Sequence, residues 1–413
     1  MSIDVVTHGC RLNIHESDVI RDNAARAGLT DVTVVNTCAV TNEAVSQARQ
    51  TIRRLKRERA GTPIIVTGCA AQTNPQMFAA MPEVDRVMGN HDKLSPDVFL
   101  QRNGDEGKIV VSDIMQVTQG IATPAASHDG RTRAFLQIQN GCDHRCTFCI
   151  IPFGRGNSRS VPPQSVVAQA QTLVEQGFRE IVLTGVDITS YGDGLSGAPK
   201  LGALVRQLLR EVPELARLRL SSIDSIEADR DLIDAFATDP RLMPHLHLSL
   251  QAGDDVILKR MKRRHLRADA IAFCETMRRL RPDIVFGADI IAGFPTETDD
   301  MFARSLDLVD ECGLTHLHVF PFSPRPGTPA ARMPRVRGDV IKERARQLRV
   351  RGETALLRHL DREVGTSRKI LAERGNTGRT EQFTQVRFKA DVPPGNIVSA
   401  SIASHDGKAL IAA

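Results

Sequence analysis

The sequence predicts an α/β chain in three parts: a parallel βαβ unit, a (βα)6 partial barrel and a small β-barrel. Three observations predict it. Short apolar strands alternate with helical stretches from the first residues to about residue 320, the mark of parallel sheets. Turn-rich stretches break that alternation at 121–130 and 324–334, where linkers belong. After residue 365 the pattern changes to short strands between Gly and Pro turns, which suits a small closed sheet.

The first part, 1–125, holds expected strands at 3–8, 31–36, 63–67 and 108–112, with helices at 14–27 and 44–59. The second, 131–330, holds six expected strands, at 134–139, 180–184, 217–221, 245–250, 284–291 and 316–320. Helical stretches at 165–176, 201–212 and 300–312 separate them. A doubly wound sheet is the alternative to a partial barrel, and in both a ligand lies at the C-terminal strand ends. Residues 331–364 read as a charged helical connector. The last part, 365–413, carries expected strands at 369–372, 385–388, 397–402 and 409–412.

Composition narrows the class. The chain has 413 residues, 41% apolar and 25% charged, the balance of a globular protein of two to four domains. That excludes wholesale disorder and collagen-like repeats. No apolar run approaches the ~20 residues that span a bilayer, so no membrane partner is expected. The start, Met1 to Val5, has no basic region, so no signal peptide is expected and the cytoplasm is the expected location. Eight cysteines in a reducing compartment call for metal, catalysis or burial rather than disulfides.

Six of those cysteines form two groups. Cys142, Cys146 and Cys149 stand as C-x3-C-x2-C directly after the first barrel strand. Three thiolates in one loop hold three irons of a [4Fe–4S] cubane and leave the fourth open. Zinc takes four protein ligands, or three plus water; His144 is the one added candidate, inside the same tight loop. Cys10, Cys38 and Cys69 each follow a predicted strand, in VVTHGC, VVNTC and IIVTGC. Neighbouring strand ends of a parallel sheet meet at one edge, so these three either converge on a second cluster or are buried in the core. Cys274 and Cys312 lie in helical stretches without ligand spacing and read as core packing.

Charge is uneven. The net charge is +5 overall, while residues 330–413 alone carry 17 Lys and Arg against 9 Asp and Glu. Such a block suits a polyanion, or a solvated basic helix. Arg49, Arg53, Arg54, Lys56, Arg57 and Arg59 form a second basic stretch. With no Trp and one Tyr, extensive aromatic base stacking is not expected.

The cysteine loop and the runs RTRAFLQIQNGCDHRCTFCIIPFGRGNSRS (131–160), LTGVDITSYGD (183–193), HLHLSLQAGDD (245–255) and DIIAGFPTETDD (289–300) resemble the radical S-adenosylmethionine methylthiotransferases. The resemblance spans essentially the whole chain, in the family's domain order. The three-cysteine N-terminal part resembles the family's hallmark domain, and the final barrel resembles the RNA-binding TRAM domain. NTCAVTNEAVSQARQ (36–50) and QAGDD are similar to the branch acting on threonylcarbamoyladenosine in tRNA. The branches acting on isopentenyladenosine or on a ribosomal-protein side chain are the alternatives. Departures are mild: Phe148 stands where many relatives have Tyr, the N-terminal cysteine spacings are shorter, and the final barrel is short.

The resemblance implies two [4Fe–4S] clusters and S-adenosylmethionine. Cys142, Cys146 and Cys149 would hold the radical cluster, whose open iron binds S-adenosylmethionine and yields a 5′-deoxyadenosyl radical. Cys10, Cys38 and Cys69 would hold the auxiliary cluster that carries the sulfur, methylated by a second S-adenosylmethionine. Thr184, Gly185, Val186, Ser221, Ser222, Gln251, Ile291 and Gly293 are candidate cofactor contacts at strand ends. Arg374, Arg379, Arg387 and Lys389 are candidate phosphate contacts. Expected partners are a tRNA carrying the modified adenosine and a low-potential electron donor; the chain is expected to be a monomer.

Overall fold

The computed structural model describes residues 3–100, 107–121, 123 and 130–413. The first sheet has five parallel strands in sequential order: β1 (Asp4–Thr7), β2 (Thr33–Thr37), β3 (Ile64–Gly68), β4 (Arg86–Met88) and β5 (Ile109–Val110). The sequence missed β4, only three residues long with a charge at its start. The helix Arg11–Arg26 is buried over most of its surface, with His15 to Ile20 all covered, whereas the next helix buries one stripe. In the helix Asn42–Glu58, Ala48, Ile52 and Leu55 are buried, and the Thr41 side chain caps the first turn by accepting from Ala44 N. Its remaining faces are charged, as a surface helix requires. Most of the expected linker at 121–130, residues 122 and 124–129, lies outside the described residues.

The central sheet runs β6 (Ala134–Gln137), then, after the short antiparallel pair β7 (Gln139–Asn140) and β8 (Arg159–Ser160), β9 (Glu180–Thr184) and β10 (Arg217–Leu220). Only Ser221 separates β10 from β11 (Ser222–Ile223), which continues into β12 (His245–Gln251), β13 (Val285–Ala292) and β14 (Leu314–Pro321). All the neighbours across this sheet are parallel. Strand order follows chain order without reversal, which selects the partial barrel over the doubly wound sheet. Leu136, Ile181, Leu183, Leu218, Leu220, Leu246 and Leu248 join the apolar core under the helices. Since side chains alternate, Glu180, Arg217, Arg219, His245, His247 and Asp289 line the inside. The barrel interior is therefore polar and charged.

A 26-residue helix, Gly338–Glu363, packs along β14 and leads to a closed barrel. Its strands are β15 (Ser367–Glu373), β16 (Thr377–Arg379), β17 (Gln385–Arg387), β18 (Ile397–His405) and β19 (Leu410–Ala412), in the order β15-β16-β17-β19-β18. The sequence missed β16, three residues centred on a glycine, a poor strand former, that pairing on both sides holds in place.

This small barrel docks on the N-terminal ends of the central strands. Arg217 donates to Lys369 O at 2.7 Å and Arg219 to Glu381 O at 3.1 Å. Arg133 pairs with both Glu180 and Glu373. Phe383, at φ +67°, enters the barrel's lower end. The guanidiniums of Arg11, Arg133, Arg219 and Arg379 lie 4.8–5.3 Å from its ring centre. Cation–π contacts of this kind contribute about 0.5–2 kcal/mol each.

Candidate active site between two cysteine triads

Cys10, Cys38 and Cys69 each begin the turn after β1, β2 and β3, so the parallel sheet delivers them to one edge. Gly68 makes the third turn possible. Its φ is +97°, and a Cβ there would lie 2.3 Å from Thr37 O. Cys38 is buried; burial, then the charge of the neighbouring Cys69, push its thiol up to about 12. Cys10 adds to that effect, which puts the three sulfurs within electrostatic reach of one another. A buried thiolate is stable only beside a cation, and metal binding supplies one. The convergence of three cysteines at adjacent strand ends is what fits a metal cluster.

Cys142, Cys146 and Cys149 occupy the loop between β7 and the helix Ile151–Arg155. Burial raises Cys142, followed by the charge of Asp187, whose carboxylate lies 3.9 Å from the Cys142 sulfur. Burial pushes Cys149 up to about 12. Arg263 donates toward the Cys146 sulfur at 3.9 Å. The two triads lie near each other: Cys69 contributes to the field at Cys149. Gly154, five residues past Cys149, approaches Cys69 so closely that a Cβ there would lie 3.3 Å from the Cys69 Cβ.

The strand-end residues around the radical loop divide into free and committed groups. The Thr184 and Ser221 hydroxyls are buried without a hydrogen-bond partner. Orphaned polar atoms at strand ends fit a polar cofactor such as S-adenosylmethionine. Ser222 is half-buried in β11, and Gln251 ends β12 at φ +68°. Ile291 is buried beside the apolar group that includes Phe148 and Phe294. The Val186 N–H is committed to Gln139 Oε1 at 3.0 Å, and the Gly293 N–H to Glu297 Oε2 at 2.9 Å. Gly185 is closely packed against Gln139 and Ile188.

Other residues complete this rim, of which the sequence singled out only His144, as a possible zinc ligand. Arg263 is salt-bridged to Asp224 at 2.5 Å and donates to Ser249 O at 2.7 Å. His144 pairs with Asp187 at 3.0 Å and with Glu227 at 3.5 Å. Burial acts to raise Asp187, but the hydrogen bond and charge of His144 together with hydrogen bonds from Ser190 and Thr189 outweigh it and hold the carboxyl below its usual range. Lower in the barrel, His247 and His318 both contact Asp289 Oδ1, at 2.8 and 3.2 Å. Asp187 and His247 stand inside motifs already singled out; Arg263 and His318 carried no such signal.

Of the candidate phosphate contacts, Arg374, Arg387 and Lys389 are exposed, with Arg387 3.3 Å from Asp406. Arg379 is turned inward, stacked on Phe383 and donating to Phe383 O at 3.2 Å. On the basic helix Asn42–Glu58, Arg53 faces Glu83, Arg54 faces Glu58 and Lys56 faces Asp85. Cys274 and Cys312 are both buried in the barrel's apolar core, hydrogen-bonded to each other. No helix among the described residues is long and apolar enough to cross a membrane.

The radical SAM superfamily matches residues 136–309, and Uncharacterized protein family UPF0004 matches residues 2–89. The threonylcarbamoyladenosine tRNA methylthiotransferase MtaB of Rickettsia prowazekii is 50% identical over 97% of this chain and 94% of its own length. The protein of the same name from Thermotoga maritima is 34% identical, over 90% and 86%. The tRNA-2-methylthio-N(6)-dimethylallyladenosine synthase of Sorangium cellulosum is also 34% identical, over 89% and 81%. Among solved structures, the radical S-adenosylmethionine methyltransferase TsrM of Kitasatospora setae has a TM-score of 0.58 at 16% identity, covering 80% of this chain and 74% of its own. That likeness concerns the fold. The chain belongs to the radical S-adenosylmethionine methylthiotransferase family.

Proposed function

We propose that this enzyme inserts a methylthio group at C2 of threonylcarbamoyladenosine in tRNA, the modified adenosine 3′ of the anticodon. One observation carries the reading: the two cysteine triads lie close together, with Gly154, on the helix after the radical loop, against Cys69. Both hold thiols whose ionised form burial disfavours, so that the thiolate state a ligand needs depends on a bound cation. We assign one [4Fe–4S] cluster to Cys142, Cys146 and Cys149 and a second to Cys10, Cys38 and Cys69. When bound, these groups supply the electron that cleaves S-adenosylmethionine and the sulfur that is transferred.

The chain's own residues bind and orient. Thr184 and Ser221 offer free hydroxyls to the cofactor, and Ser222, Gln251 and Ile291 border the same strand ends. Gln139 fixes the turn Gly185–Asp187 by accepting from Val186 N and Asp187 N. Gly293 acts through its turn, since its N–H is taken. Arg374, Arg387 and Lys389 contact RNA phosphates, while Arg379 braces the barrel interface. The working division is 1–125 for the auxiliary site, 131–330 for the radical site, 331–364 as connector and 365–413 for RNA. The enzyme acts as a monomer and draws on a low-potential donor.

The 34% identity shared with both an MtaB protein and a dimethylallyladenosine synthase makes the substrate branch the point to test. Nucleosides from a strain lacking the gene are analysed by mass spectrometry. Loss of the 2-methylthio form of threonylcarbamoyladenosine, with the unthiolated nucleoside accumulating, is expected. Loss of the isopentenyl analogue instead would overturn the substrate, and no change in any tRNA nucleoside would overturn the RNA reading.

A further inference from the structure

Behind the auxiliary triad lies a fully buried polar cluster that ligation of iron does not require. The Lys93 ammonium has three acceptors: Asn90 Oδ1 at 2.7 Å, Glu16 Oε2 at 2.8 Å and Asn36 Oδ1 at 3.3 Å. The amide orientations are fixed from their other side. Asn36 Nδ2 donates to Asn13 O and Ser17 Oγ, and Asn90 Nδ2 to Gly154 O and the Cys69 sulfur. Three acceptors use all three N–H bonds, so the amine is protonated. Arg155, on the helix after the radical loop, meets Glu16 at 2.8 and 2.9 Å, Asn13 Oδ1 at 2.5 Å and Asn140 Oδ1 at 3.1 Å.

Two cations thus face one carboxylate, and the side chains of Lys93, Glu16 and Arg155 are 0–2% exposed. Behind them, buried Arg159 donates to Arg155 O at 2.9 Å and adds further positive field. Among the described residues no second carboxylate joins Lys93 and Arg155. An unmet buried charge costs several kcal/mol. Beyond Glu16, the group they face is the triad: Asn90 Nδ2 lies 3.5 Å from the Cys69 sulfur, and Arg155 feels the charge of both Cys69 and Cys10.

We propose that Lys93 and Arg155 are positioning residues for the auxiliary cluster, whose net negative charge their surplus positive charge offsets, raising its reduction potential. The inference rests on the two-cluster reading. A 2+ cubane on three thiolates carries one net negative charge, and an added electron makes two. The surplus cation stabilises the reduced form more, and Asn90 links it to the Cys69 sulfur.

The test uses the full chain with Cys142, Cys146 and Cys149 each changed to Ala, loaded with iron and sulfide and titrated by electron paramagnetic resonance. In that background Lys93→Met is expected to lower the potential, with at least a tenfold change in the oxidised-to-reduced ratio at fixed potential, about 59 mV for one electron. Lys93→Arg is expected to restore it. Glu16→Gln removes the anion and is expected to move the potential the other way. Mere loosening of the site would not produce opposite signs. Shifts of the same sign, or none in variants that keep their iron, overturn the proposal. If Lys93→Met holds no iron, the sign of the Glu16→Gln shift decides. A parent variant that binds no iron refutes the second cluster instead.

Discussion

Glu180→Gln is expected to unfasten the two barrels. The Glu180 side chain is fully buried and is the shared carboxylate of three guanidiniums: Arg133 at 2.9 Å, Arg219 at 3.1 Å and Arg217 at 3.5 Å. Burial acts to raise its pKa, but Arg219 and Arg133 outweigh that and hold it well below the usual carboxylate range. An amide has the same shape but no charge, and its NH2 faces the donors. Removing one partner of a buried pair costs about 3–5 kcal/mol, a large share of the roughly 5–15 kcal/mol that keeps a domain folded. The same arginines donate to Lys369 O, Arg379 O and Glu381 O, so docking of the C-terminal barrel weakens too. The chain has no Trp, and Tyr191 is its only Tyr. Tyr191 is buried in the central core and donates to Val161 O at 2.7 Å. Tyrosine emission therefore reports on the central barrel alone during urea unfolding. A loss below about 1 kcal/mol would refute the reasoning, because surface pairs are worth that little. Arg219→Met added to Glu180→Gln is expected to recover part of the loss by removing a stranded cation.

Other outcomes follow from the same geometry. Cys69→Ala is expected to retain S-adenosylmethionine cleavage and lose sulfur insertion; full methylthiolation would rule out the auxiliary role. Glu16 is held at about 2, because Arg155 and Lys93 outweigh its burial. Its folded value lies below its unfolded value of about 4.3, so its contribution is complete at neutral pH and lost as pH falls from about 4.3 toward 2. That amounts to about 3 kcal/mol; Glu16→Gln should flatten this limb of an acid-unfolding curve. Arg387→Ala and Lys389→Ala are expected to weaken tRNA binding and each lower the salt slope by about one, measured by filter binding. Arg379→Ala should instead lower thermal stability and leave that slope unchanged.

Much of this was legible in the sequence because the signals were local. Strand-then-cysteine spacing placed Cys10, Cys38 and Cys69 at one sheet edge, and RLRL and HLHLSL gave strands of period two. What escaped were contacts that only folding makes. β4 and β16 are three-residue strands set by their neighbours rather than by composition. Arg263 and Lys93 look like ordinary surface cations until the chain closes over them. Arg379 shows the reverse error: one of the four candidate phosphate contacts in the last segment, it is taken up by Phe383 and Glu373. No periodicity distinguishes an inward arginine from an outward one on a three-residue strand.

The placement of the small barrel sets a length scale. It is fastened to the lower ends of the central strands, while both cysteine triads open at the upper ends. β13 alone has eight residues, about 26 Å at ~3.3 Å each. If the small barrel holds the RNA, as proposed, the RNA must bridge a span of up to that order to present a base to the cysteine triads. A bare loop of a few nucleotides would reach one station or the other, whereas a loop on its stem reaches both. Under that proposed role of the small barrel, the enzyme would work as a calliper, gauging the size of the folded RNA before any bond is touched.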